Sequence, residues 1–234
     1  MGNRERVSRR CYYCGELATS REHAPPQSFF PKNFKLNLIT VPSCEKHNNS
    51  KSKNDEYVFH LISSSPGFRG DNEIDRYLVK KCSASLTNMK LGNRPRTIHH
   101  LLERMHEDVR MEAVKEDTSH RHFTLTYSAR IDYDAVNDFF QSLGRALVFH
   151  EKQIVFSSND IVMPHQFGQV AGSAAAKLSE GLKKTSVPLN KWLGENREIF
   201  IYNIDCVSDN IFVDMCFYSR FFVSVIFRKI VLIP

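Results

Sequence analysis

Cys11-Tyr12-Tyr13-Cys14, Arg21-Glu22-His23-Ala24-Pro25-Pro26 and Cys44-Glu45-Lys46-His47-Asn48 decide how this chain is read. Two pairs of soft ligands, Cys11/Cys14 and Cys44/His47, stand at the two-residue spacing that a tetrahedral zinc ion requires. All four positions are filled by protein, so the zinc read here is structural and leaves no open place for water. A segment this short buries too little apolar surface to fold alone, and a closed metal site would staple it. A lone Cys-x-x-Cys could be a redox pair, but such pairs open a helix in a βαβ unit, and this one sits in a Tyr/Gly turn.

Between the pairs lies an acid–imidazole dipeptide, Glu22-His23. Imidazole titrates near neutrality and can take a proton from water at cellular pH. Glu22 and Asn48 offer hard oxygen donors of the kind that select Mg²⁺ or Mn²⁺. Successive strand residues point to opposite faces, so Glu22 and His23 share one site only if the strand bends or ends there. Asn49 competes with Asn48 for the ligand role, and Asp55 and Glu56 are auxiliary candidates on what reads as solvated helix surface.

With Asn37-Leu38-Ile39-Thr40-Val41-Pro42-Ser43-Cys44 and His47-Asn48-Asn49-Ser50-Lys51 added, these landmarks resemble the HNH (ββα-metal) endonucleases, most nearly the zinc-stapled standalone bacterial type. The resemblance covers about the first quarter of the chain. It departs from the family at His47, where Cys is usual, at Asn48, where many members have His, and at Glu22, where Asp is usual. It implies a β-hairpin followed by a helix, and hydrolysis of phosphodiester bonds in DNA. In that reading His23 is the general base, Asn37 bridges the hairpin and holds the base, and Glu22 and Asn48 bind the catalytic ion. Lys51, one helical turn beyond Asn48, is suited to a phosphate contact. The alternative is a zinc-knuckle module that binds nucleic acid or protein and has lost cleavage through the Glu22 and Asn48 changes.

Charge agrees without deciding the matter. The 234 residues carry a formal net charge of +6, and the pI is about 9.0. Arg4, Arg6, Arg9 and Arg10 precede the first knuckle, and Lys46, Lys51 and Lys53 surround the last ligand. Arg9, Arg10 and Lys51 are the residues expected to follow phosphates. The partner expected is DNA, with no membrane, and a homodimer is left open. The first ten residues have no apolar leader core, and the C-terminal apolar run falls short of the roughly 20 residues of a spanning helix. Cys82, Cys206 and Cys216 lie scattered in apolar surroundings, a usage that fits a reducing cytoplasm.

The fold class expected is α+β: a zinc-stapled head over residues 1–62, then an accessory domain over 68–234 ending in an antiparallel meander. The break is placed at Ser63-Ser64-Ser65-Pro66-Gly67. Strands are expected around His23 and over Leu36–Val41, and Ser43 is the candidate N-cap of a helix that buries Tyr57, Val58 and Leu61. Helical spacing runs from Asn72 to about Lys115 and from Tyr133 to Phe149, with a weaker helix over Ala174–Lys183. Strands are expected at Phe123–Tyr127, Ile199–Ile204, Ile211–Tyr218 and Phe221–Ile226. His120 and His122 have no second pair at knuckle spacing, and Trp192 reads as core.

Overall fold

The computed structural model describes residues 10–49, 52–63, 72–87, 110–115, 123–128, 132–156, 161–169 and 191–228. The chain is mixed helix and strand, with the Cys/His cluster near its start and an antiparallel sheet at its end. A short hairpin opens it, β1 (Ser20–His23) against β2 (Thr40–Ser43), with Glu22 opposite Val41 and His23 opposite Thr40. Two helices follow, α1 (Glu45–Asn49) and α2 (Ser52–Ser63).

β2 begins four residues later than the alternation of Leu36–Val41 predicts. Asn37 adopts a left-handed backbone (φ 52°), which interrupts extended chain, so the ladder starts only at Thr40. Ser43 is not a helix cap. It is the fully buried last residue of β2, and the Cys44 carbonyl receives the first helical N–H groups, from His47 and Asn48.

Next come α3 (Glu73–Thr87), then β3 (Arg110–Lys115) paired with β4 (Phe123–Ser128). The expected continuation of helix to Lys115 is overturned at β3. Its backbone groups find partners across β4, and such pairing outweighs a local helical preference. The expected weaker helix, His120 and His122, and most of the Ser63–Gly67 break lie outside the described residues.

The long helix α4 (Tyr133–Lys152) is the axis of the molecule. Asp132 caps it by accepting from the Ala135 N–H at 3.0 Å, and Gln153 closes it in a left-handed turn. Its stripe of Val136, Phe139, Phe140, Leu143 and Leu147 is buried, as the 3.6-residue period predicts. The stripe faces a four-stranded antiparallel sheet in the order β5-β8-β7-β6, built from β5 (Ile161–Gln169), β6 (Phe200–Val207), β7 (Asn210–Phe217) and β8 (Phe221–Arg228). β6 to β8 form the expected meander, turning through left-handed Ser208 and through Tyr218 and Ser219. β5, not anticipated from the sequence, pairs with β8 through an irregularity between His165 and Phe167.

α4 approaches the sheet closely at Gly144, where a methyl group would stand 2.9 Å from the Phe227 ring. Gly144→Ala should therefore destabilise the protein. Overpacking costs about 1–3 kcal/mol, and the helix-propensity gain of about 1 kcal/mol offsets only part of it. A lowered urea midpoint with an unchanged slope would verify this.

One hydrophobic cluster runs from the N-terminal hairpin through α4 to the sheet. Phe29, just after Pro25-Pro26, lies 5.3 Å from Phe59, 5.5 Å from Phe139 and 5.5 Å from Phe217, ring centre to ring centre. Polar ties add to this packing. The Tyr218 hydroxyl donates to the Phe29 carbonyl, the Asp132 N–H donates to the Tyr57 hydroxyl, and Arg220 pairs with Asp75 at 3.0 Å. Trp192 is buried as expected; of the three remaining cysteines, Cys216 is buried, Cys82 half-buried and Cys206 exposed. Cys206 thus departs from the buried-thiol expectation, at a place where β6 runs out into solvent. Among the described residues no helix is long and apolar enough to cross a membrane.

Candidate metal centre and adjoining cavity

The hairpin and α1 bring Cys11, Cys14, Cys44 and His47 together, with all four ligand atoms within 4.8 Å of one another. Cys14 Sγ to Cys44 Sγ is 3.9 Å, Cys11 Sγ to His47 Nδ1 is 3.7 Å, and Cys44 Sγ to His47 Nδ1 is 3.1 Å. A tetrahedron with metal–sulfur arms of about 2.3 Å has edges of about 3.8 Å, so the donor set fits a four-coordinate ion. Local sequence explains the placement. Gly15, at φ 77°, turns the first knuckle so that the Gly15 N–H reaches the Cys11 carbonyl. The first turn of α1 sets Cys44 and His47 three residues apart, on one face.

Three of the four side chains have shifted proton affinities. Burial works to raise the Cys11 thiol, but N–H groups of Cys14, Cys44 and Tyr13 bring it below the ordinary thiol value. Burial and the neighbouring Cys11 push Cys14 up to about 11. His47 is lowered, first by burial and then by Lys46 and Arg145, which favours the neutral imidazole that binds metals. Tyr13 stacks on His47 with ring centres 4.4 Å apart, and the buried Arg145 of α4 lies 4.9 Å from the Tyr13 ring. Arg145 was not singled out in the sequence; only a tertiary contact reveals it.

Beside this cluster opens a cavity of about 240 Å³ whose lining includes Glu22, His23, Asn48 and Asp55. Glu22 and His23 share it because β1 ends at His23 and the chain turns into Pro25-Pro26, which supplies the bend that strand geometry demands. The Tyr12 hydroxyl, fully buried between the knuckle cysteines, donates to Glu22 Oε1 at 2.6 Å. Burial pushes Glu22 up to about 8; Ser43 opposes the shift and the charge of Asp55 adds to it. A cation beside a carboxyl group so placed would favour its ionised form. His23 Nδ1 is buried with no hydrogen-bond partner among the described residues. Asn48 donates its amide nitrogen to Ser20 Oγ at 2.9 Å, leaving the amide oxygen as the donor atom for a cation. One wall of the cavity comes from α4, through Phe139, Ser142, Leu143 and Ala146.

Asn37 is placed differently. It lines a second cavity of about 540 Å³, between the 37–42 segment, the end of α4 and Tyr202, and not the cavity of His23. No hydrogen bond joins its side chain to His23 among the described residues, and its backbone is left-handed. Arg21 borders both cavities and donates to the Thr40 hydroxyl and carbonyl. Arg10 and Lys46 are exposed; Arg9 and Lys51 lie outside the described residues. Comparisons with protein-family models, curated proteins and solved structures find no match.

Proposed function

We propose that this chain is a metal-dependent endonuclease of the HNH kind, hydrolysing phosphodiester bonds in DNA. Cys11, Cys14, Cys44 and His47 hold a structural Zn²⁺, and Glu22 and Asn48 hold a catalytic Mg²⁺ or Mn²⁺. The observation that carries the reading is the convergence of His23, Glu22 and Asn48 on one cavity, next to a four-donor metal cluster. When bound, the Mg²⁺ or Mn²⁺ stabilises charge on the phosphoryl oxygens and on the leaving oxygen. His23 takes a proton from the attacking water as its oxygen bonds to phosphorus; the bond from phosphorus to the 3′ oxygen breaks, and that oxygen is protonated from solvent. Tyr12 holds Glu22 in place, and Ser20 orients the Asn48 amide.

A second reading, a zinc-knuckle binding module without cleavage, rests on Glu22 and Asn48, which stand where the HNH family usually has Asp and many members have His. Plasmid nicking in Mg²⁺ or Mn²⁺, by the parent chain and by His23→Ala, separates the two. Metal-dependent nicks from the parent alone support the nuclease; DNA binding without nicks supports the module. If DNA is the partner, Arg9, Arg10, Lys46 and Lys51 contact phosphates, and DNA affinity should fall steeply with salt. Three or four such contacts predict a loss of about tenfold or more between 50 and 200 mM salt. A flat response would remove the phosphate role of these side chains.

A further inference from the structure

Asp55 lies seven residues beyond Asn48, in the first turn of α2. Its position reads in sequence as solvated helix surface. In the folded chain it is half-buried and lines the cavity that holds Glu22, His23 and Asn48. Glu22 comes from β1, Asn48 from α1 and Asp55 from α2, so three separate elements each contribute a residue with an oxygen-bearing side chain to the lining of one cavity. Glu22 and Asp55 each offer a carboxylate. An amide oxygen beside them completes a hard, all-oxygen donor set, with the imidazole of His23 next to it.

Resting on the nuclease reading of this cavity, we propose that Asp55 is a third oxygen ligand of its divalent cation, alongside Glu22 and Asn48. A first-turn acid can also serve a helix simply by facing its positive end. That role predicts an effect on stability alone, whereas a ligand affects ion affinity.

Mn²⁺ binding to the full chain, followed by the electron paramagnetic signal of the free ion, distinguishes the two. Asp55→Asn should weaken Mn²⁺ binding about tenfold or more, with the Zn²⁺ content and melting temperature of the parent. Asp55→Glu, which keeps the carboxylate, should recover part of the affinity, and the exposed neighbour Glu56→Gln should bind as the parent does. Parental Mn²⁺ affinity in Asp55→Asn would overturn the assignment while leaving Glu22 and Asn48 as ligands. A parent chain that binds no Mn²⁺ would overturn both the assignment and the catalytic-metal reading. Asp55-dependent Mn²⁺ binding in a chain that never cuts DNA would uphold the ligand and remove the nuclease.

Discussion

Stripping the knuckle metal with a strong chelator, or replacing Cys44 with Ser, is expected to unfold the chain in a single transition. Structural zinc supplies an apparent binding free energy of about 10–16 kcal/mol in small knuckle peptides, comparable with the whole stability of about 5–15 kcal/mol of a typical domain. The loss should not stay local. Cys11 and Tyr12 are fully buried, and Tyr12 belongs to the cluster that continues through Phe29, Phe139 and Phe217 into the sheet. Cys206→Ser, at an exposed position, is the control and should melt as the parent does. Elemental analysis should find one Zn²⁺ per chain. Protein purified without chelator, folded and free of metal, would end the assignment of the four-donor cluster.

The second large effect is on chemistry. His23→Ala should slow DNA cleavage by at least about 100-fold, the lower end of what a general base contributes. DNA affinity, Zn²⁺ content and Mn²⁺ affinity should stay at parental values, because the base acts in the transition state and not in binding. Asn48→Ala should behave differently. It deletes an oxygen donor and so should raise the Mg²⁺ or Mn²⁺ concentration needed for half-maximal cleavage. Asn48→His should shift preference toward Mn²⁺, which accepts imidazole more readily than Mg²⁺ does. Cleavage by His23→Ala at the parental rate would overturn the role of His23 and leave the binding module as the reading.

Some of this architecture is written locally and can be read without a structure. Cys-x-x-Cys and Cys-x-x-His place two donors within reach whatever the rest of the chain does, and the cluster of Cys11, Cys14, Cys44 and His47 follows from that spacing. The buried stripe of α4 follows from its period. The meander of β6 to β8 follows from alternating burial between short turns.

What only the tertiary structure decided depends on partners remote in sequence. β3 is a strand because β4 supplies its hydrogen bonds, and β5 because β8 does. Asn37 lines a cavity other than that of His23 and has a left-handed backbone angle, which residue type alone does not prescribe. The Tyr12 hydroxyl finds Glu22 only when the knuckle is folded onto the hairpin, and Arg145 meets Tyr13 only when α4 packs behind it. Asp55 passes from surface acid to cavity wall because α2 packs against α4, with Tyr57, Val58 and Phe59 buried in the shared core. Spacing and periodicity act over a few residues and are legible in the sequence. The meeting of β1, α1, α2 and α4 around one cavity is a product of burial, which rewards apolar area without specifying which polar side chains it brings together.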